Sequence, residues 1–402
     1  MGIIITIAVF GLILGILIFV HELGHFLTAK RNGITSHEFG FGFPPRIFGM
    51  VKDEKTGQWR KIWGNKEYHG NNTLYSVNWI PLGGFVRIKG ESAIDMEGKK
   101  MEELSKEDQK FVKMAQEPDS FAMQSKWVRF RVLIAGVTMN FLLAWVLISV
   151  VLMIGAPEPK SDDINPDQIV ADIGVQIVEV EADSPADNIG LKVGDSIEQV
   201  CHQDECVEIT SAEQLKETIF AYQGEEIAVH IVRGKDNIVV MGVPRTDIEE
   251  GQGALGISMM ETVLVKYPFF QAIWEGLMRV IGLTQMILQA FWTLVTAPFT
   301  DEGVNMENMA GPVGIAVMTK QMQDLGFVYL LQFMAILSVN LGIINILPIP
   351  ALDGGRIMFL GIEAIKGRPI NPRIENMIHT VFFIALIALM AWITFADIMK
   401  YI

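Results

Sequence analysis

The chain has 402 residues, half of them hydrophobic and 19% charged, a balance too apolar for an ordinary soluble protein and too charged for a bare membrane bundle. Its net charge of −14 argues against a nucleic-acid binder, and two cysteines are too few for a cysteine-based zinc or iron–sulfur site. Several membrane spans and at least one aqueous domain are expected, in contact with a lipid bilayer and with no nucleic-acid partner.

The first segment, residues 1–36, opens with a run from 2 to 20 that has no charged side chain. About 20 such residues cross a bilayer. The run ends in His21-Glu22-Leu23-Gly24-His25. On a helix, residues four apart share a face, so His21 and His25 can aim two imidazoles at one cation. A catalytic zinc takes three protein ligands and a water. Glu22 stands where it can take a proton from that water. H-E-x-x-H arises by chance in many chains, and an apolar run can be a signal peptide. Here the run lacks a basic n-region and a cleavage site, and cleavage nearby would remove the motif. Ionisable residues at a span are functional candidates by default.

Residues 37–90 are rich in Gly and aromatics, as in His37-Glu-Phe-Gly-Phe-Gly-Phe43, and read as short strands and tight turns. Residues 91–126 are charged and expected to be helical or mobile. A second apolar segment covers 127–155 and carries Thr138 and Asn140. Residues 165–247 read as a compact α/β domain: a strand at 175–180, a turn and short helix after Ser184-Pro-Ala, a helix capped at Thr210 or Ser211, and a hairpin over 227–241. The run Ser184-Pro-Ala-Asp-Asn-Ile-Gly-Leu-Lys-Val-Gly-Asp195 resembles a PDZ domain of the bacterial protease type. In residues 268–298, polar side chains such as Gln271, Glu275, Arg279 and Gln285 recur at helical spacing. That pattern predicts an amphipathic helix lying in the membrane interface. Two further apolar segments, about 327–350 and 378–400, complete a count of about four spans within 327–402 and the earlier chain.

Charge orients the spans. Residues 22–131 hold 18 Lys and Arg against 14 Asp and Glu, whereas residues 156–267 hold 7 against 23. Lys30 and Arg31 follow the first span, and Arg356, Lys366, Arg368 and Arg373 follow the third. The positive-inside tendency makes the first loop cytoplasmic and the acidic domain and both termini external. The ends of the first and third spans then lie at similar depth, near the cytoplasmic face. The third ends in Asn345-Ile-Leu-Pro348-Ile-Pro350-Ala-Leu-Asp353-Gly-Gly355. Two prolines break the helix before Asp353, and irregular backbone at membrane depth is tolerated where it lines a cavity. Asp353 is therefore the expected third ligand to one zinc ion, with Glu38 and His37 as the next candidates.

These motifs carry a resemblance. His21-Glu22-x-x-His25, Gly136-x-x-x-Asn140, Asn345-x-x-Pro348-x-Pro350-x-Leu352-Asp353-Gly354-Gly355 and Gly311-Pro-Val-Gly-Ile315 together resemble the site-2 protease family of intramembrane zinc metalloproteases. The resemblance covers nearly the whole chain. It implies a polytopic α-helical membrane protease of the bacterial cytoplasmic membrane, with an inserted PDZ-like domain and a small membrane-associated β-region on the cytoplasmic side. Its substrates would be membrane proteins with a transmembrane helix, such as anti-sigma factors or signal-peptide remnants. It further implies that Asn140, Asn345, Pro348 and Pro350 lie beside the site and hold substrate; Asn140 could instead bridge two helices. Some members carry two tandem PDZ domains, and this chain has room for one. A membrane PDZ scaffold would lack a ligand or the base, and a transporter would show internal repeats. Neither mark is present.

Cys201 and Cys206 flank a turn between two expected strands. Cross-strand neighbours approach to about 4.5–5.5 Å, which suits a disulfide, and the domain is placed outside the cytoplasm, where disulfides persist. Free thiols and a metal clip with His202 are the other readings.

Overall fold

A computed structural model of the chain describes residues 2–54, 56–66, 68, 70, 72–91, 116–161, 164–203, 205–234, 236–248, 253–297, 311–368 and 372–401. The charged segment expected to be helical or mobile therefore falls, over 92–115, outside the described residues. Contacts divide the chain into two compact units.

The first unit comprises residues 1–146, 278–319 and 334–402. Helix α1 runs Gly2–Arg31. It is followed by β1 (Ser36–Lys52), β2 (Trp59–Trp63) and β3 (Leu74–Ile88), in sheet order β2-β1-β3. β1 and β3 are long and bent, and they wrap around each other. Phe39 pairs with Tyr75 on one side and with Val86 on the other. Segment 84–88 pairs only with the start of β1, which leaves it as an edge.

Alternation along β1 puts Phe39 and Phe41 on one face, and that face covers α1. Phe19 lies 5.1 Å from Phe39 and 5.8 Å from Phe41, ring centroid to centroid, and Phe26 stacks on Phe39 at 4.7 Å. On α1, positions 19, 22 and 26 share this face. Positions 17, 21 and 25 lie on the neighbouring face, which packs inward: Leu17, His21 and His25 are all buried. One turn of helix thus presents Glu22 to the sheet and the two imidazoles to the helices.

Helix α2 runs Lys126–Ile154 and packs against that second face of α1. Gly24 makes the contact close, since a Cβ there would sit 2.4 Å from the carbonyl oxygen of Ala135. The later helices of the chain, numbered below, are Phe269–Thr296, Pro312–Leu325, Phe327–Ile346, Asp353–Lys366 and Pro372–Tyr401. Lys126 and Arg129 at the start of α2 both reach Glu363 in the helix that begins at Asp353, Arg129 at 3.2 Å.

The second unit comprises residues 147–277 and 320–333. Its strands are β4 (Ala156–Pro159), β5 (Ile169–Val180), β6 (Ser196–His202), β7 (Glu205–Glu208), β8 (Ile227–Arg233), β9 (Asp236–Gly242) and β10 (Ile257–Val265). The sheet order is β4-β10-β5-β6-β8-β9, with β7 on β6. Two helices belong to it: α3 (Pro185–Asn188), capped by Ser184, and α4 (Ala212–Ala221), capped by Ser211. The expected strands and helices all occur, but the sheet extends past 165–247. β10 lies beside β5, and β4 lies beside β10. Val175, Ile177, Ile197, Leu215, Ile227 and Val229 form the core, each at most 1% exposed. Asp195 is fully buried and paired with Arg233 through two bonds of 2.6 and 2.7 Å, which offsets the cost of burying its charge.

The remaining helices are numbered α5 (Phe269–Thr296), α6 (Pro312–Leu325), α7 (Phe327–Ile346), α8 (Asp353–Lys366) and α9 (Pro372–Tyr401). Five helices among the described residues are long and apolar enough to cross a membrane: α1, α2, α5, α7 and α9. The expectation was four, and α5 is the additional one and the least apolar of the five. Exposed Ile4, Ile7 and Leu12 on α1, and Phe382, Ile387, Trp392 and Phe395 on α9, suit lipid contact. The chain is an integral membrane protein built from such helices and two β-sheets.

Candidate metal centre and active site

The chain brings His21 and His25 of α1 to Asp353, 332 and 328 residues away. His21 Nε2 lies 3.0 Å from Asp353 Oδ2, His25 Nε2 lies 3.2 Å from the same oxygen, and the two Nε2 atoms are 3.1 Å apart. Among the described residues this is the one cluster of three such side chains that could hold a metal ion.

The donors fit zinc. Ligands at roughly 2.0–2.1 Å in a tetrahedron stand about 3.3 Å from one another. Two imidazole nitrogens and one carboxylate oxygen suit that ion.

Each imidazole is fixed by its other nitrogen. His25 Nδ1 lies 2.8 Å from the backbone oxygen of Val132, which can only accept, so Nδ1 carries the proton and Nε2 offers its lone pair to the cluster. His21 Nδ1 lies 3.2 Å from the side-chain amide of Asn140. For His21 to offer Nε2 as well, its Nδ1–H must donate, and the partner must be Oδ1 of Asn140. A half-turn of that amide supplies it.

Between these two contacts, on the same face of α2, sits Gly136. A Cβ there would fall 2.4 Å from His25 Nε2 and 2.7 Å from His21 Nε2. Positions 132, 136 and 140 therefore form one stripe: a carbonyl, a space and an amide. This gives Gly136-x-x-x-Asn140 a physical meaning. Asn140 itself is fully buried, and Ser338 on α7 donates to its backbone oxygen at 2.8 Å.

Glu22 lies on the adjacent helical face, at the sheet edge, where Val86 N–H donates to its Oε2 at 3.2 Å. Gly83 and Gly84, just before Val86, let the strand lie against Ile18 and Phe19 of α1. A Cβ on Gly83 would come within 2.9 Å of Ile18.

Asp353 is the first residue of α8. The turn before it folds over the helix start: a Cβ on Gly354 would sit 2.1 Å from the oxygen of Leu347, and one on Gly355 would sit 2.5 Å from that of Ile349. The two glycines after Asp353 are therefore required by space. Of the four residues expected to hold substrate, Pro348 is exposed and Asn345 half-buried, while Asn140 and Pro350 are buried. Glu38 is buried and bonded to Arg46 at 3.0 Å, so it and His37 stand apart from the cluster.

Residues 9–389 match the sequence profile of peptidase family M50. The chain belongs to that family. It is similar to the zinc metalloprotease RasP of Geobacillus kaustophilus, 30% identical over 98% of this chain and 97% of the relative. It is also similar to the regulator of sigma-W protease RasP of Bacillus subtilis, 28% identical over 98% and 98%. This member of family M50 is thus a zinc metalloprotease of the intramembrane, site-2 type, and zinc is its cofactor.

The residues not foreseen from sequence are those that act through backbone or by absence. Val132 contributes only its carbonyl, Gly24 only room, and Val86 only an amide. The i, i+4, i+8 spacing of Val132, Gly136 and Asn140 is the signal that could have exposed the stripe.

Proposed function

We propose that His21, His25 and Asp353 hold the zinc ion, that Glu22 is the base, and that the protease cuts transmembrane helices of membrane proteins. The supporting observation is the convergence of three ligand atoms within 3.0–3.2 Å, with Glu22 on the same helical turn. Zinc supplies Lewis acidity, making a water acidic near neutral pH and polarising the scissile carbonyl. Glu22 takes the proton of the attacking water and gives it to the leaving amine. Val132 and Asn140 keep the imidazoles oriented during this transfer.

A helical substrate hides its carbonyls in its own hydrogen bonds and must unwind first. Segment 84–88 supports a place for the unwound chain, because an edge strand can take up an extended segment by strand addition, here beside the Val86 amide that Glu22 holds. Half-buried Asn345 and exposed Pro348 suit contact with that segment. We read the second unit as a PDZ-like domain that screens substrates by the size of their external parts. We take α5 as interfacial and α1, α2, α7 and α9 as the four spans. The charge asymmetry supports an active site near the cytoplasmic face, with the PDZ-like unit and both ends outside. The name of the Bacillus subtilis relative suggests sigma-factor regulation, so membrane-anchored regulators such as anti-sigma factors are the class we expect.

Glu22→Gln tests the assignment. Zinc content should stay at wild-type level while cleavage of a single-span substrate falls by roughly 10²–10⁴-fold, the usual worth of a general base. Near-normal cleavage by this variant would refute the role of Glu22.

A further inference from the structure

The stretch between α7 and α8 must turn the chain so that Asp353 meets His21 and His25. Its backbone donors can be followed one at a time. Pro348 and Pro350 have no N–H. Leu347 N–H donates to Ile343 O at 3.2 Å, Ile349 N–H to Leu347 O at 2.6 Å, and Leu352 N–H to Ile349 O at 3.1 Å. Ala351 differs. Its N–H leaves the stretch and donates to Nδ1 of His379 on α9, at 2.9 Å.

Ala351 also has φ +88°, in the left-handed region that residues with a Cβ rarely adopt. Asn or Asp can steady such a backbone with a local side-chain bond, but Ala has no such group. Leu352, the cap of α8, makes no side-chain bond either. The Ala351 N–H is held by the acceptor on α9. The same imidazole packs on Phe359 of α8, with ring centroids 5.4 Å apart. His379 therefore touches the chain on both sides of Asp353 while standing outside the ligand cluster.

We infer that His379 is a positioning residue: by accepting the Ala351 amide it fixes the left-handed turn that aims the Asp353 carboxylate at His21 and His25. Without that acceptor the peptide between Pro350 and Ala351 can turn over, and a turned peptide re-aims Leu352 and Asp353. The inference rests on the reading of Asp353 as a zinc ligand. It adds α9 to the parts on which metal retention depends.

The test uses full-length protein in detergent, loaded with zinc, and follows zinc release to a chromogenic chelator. Thermal midpoints of the same samples report the fold. Three variants separate the atoms of the ring. In His379→Asn, the side-chain oxygen stands where Nδ1 stood; in His379→Gln, it stands near the place of Nε2; His379→Leu keeps neither. The expected result is release within about threefold of wild type for Asn and about 10–100-fold faster for Gln and Leu, the range typical of losing a contact that orients a ligand. Ala351→Gly in the Leu background should slow release again, because glycine adopts positive φ without strain. Wild-type release from His379→Leu would overturn the inference, as would equal release from Asn and Leu. Asp353→Ala is run alongside. If it retains zinc, the ligand assignment fails; if it loses zinc while His379→Leu does not, the ligand assignment stands and the role of His379 falls.

Discussion

Replacing Gly136 by Ala sets two effects of known size against each other. In a helix interior, Ala is favoured over Gly by about 0.5–1 kcal/mol. The new methyl, however, would sit 2.4 Å from His25 Nε2 and 2.7 Å from His21 Nε2. Neither ring can swing aside freely, because His25 is tied to Val132 O at 2.8 Å and His21 to Asn140 at 3.2 Å. Forcing an extra methyl into packed surroundings costs typically about 1–3 kcal/mol. That cost falls on the two atoms proposed to face the metal. At 1.4 kcal/mol per factor of ten, zinc affinity should drop by about 10–100-fold. The methyl displaces the rings with or without metal, so the thermal midpoint of the metal-free variant should not rise above that of the metal-free wild type despite the better helix former. Chelator competition measures the first quantity and thermal unfolding in detergent the second. Gly282 on α5 has open space where its Cβ would lie, and Gly282→Ala is the control that should leave zinc binding unchanged. Wild-type zinc affinity in Gly136→Ala would refute the argument that this glycine makes room for the ligand pair.

Asn140→Asp keeps an acceptor for His21 Nδ1–H and should hold zinc within about tenfold, whereas Asn140→Leu should lose about 10–100-fold; equal losses would contradict the tautomer assigned to His21. Asp397 on α9 is buried and accepts the backbone N–H groups of Gly311 and Gly314 at the start of α6, at 3.2 and 2.8 Å. Asp397→Leu leaves two buried amides unpaired, at about 1–3 kcal/mol each, and should lower the thermal midpoint with zinc content per folded molecule unchanged; an unaltered midpoint would show that the contact carries no stability. Cys201 and Cys206 pair across β6 and β7 and are joined by a disulfide. Thiol labelling of denatured, non-reduced protein from intact cells should find neither free, and labelling of both would place the second unit in a reducing compartment.

The parts of the site that were legible in the sequence are those carried by side chains with a known spacing. His21 and His25 are four apart on one helix, and Asp353 follows an apolar segment broken by two prolines. What was not legible is carried by geometry between distant segments. Val132 has an unremarkable side chain, and its contribution is a carbonyl facing His25 from another helix. Asn140 was expected beside the site, at the substrate or bridging two helices, and lies buried 3.2 Å from His21 Nδ1, a distance that could not be read from one helix alone. In the second unit, the strands with local partners were visible as a hairpin. β10 was not, since its partners β5 and β4 lie about 80 and 100 residues earlier in the chain. α5 shows the limit of composition: its polar stripe and its length support two different placements in a bilayer.

The distance along the chain between the ligands has a consequence in time. His21 leaves the ribosome 332 residues before Asp353. At roughly 5–20 residues per second, translation separates them by some tens of seconds. With the ligands assigned here, a ribosome-bound chain has the base and two histidines in the membrane but no third donor. Newly made neighbours inserting nearby meet an unfinished enzyme. With that assignment, hydrolytic competence arrives only once Asp353 has been made, so each copy is inactive over that interval and needs no separate inhibitor for it.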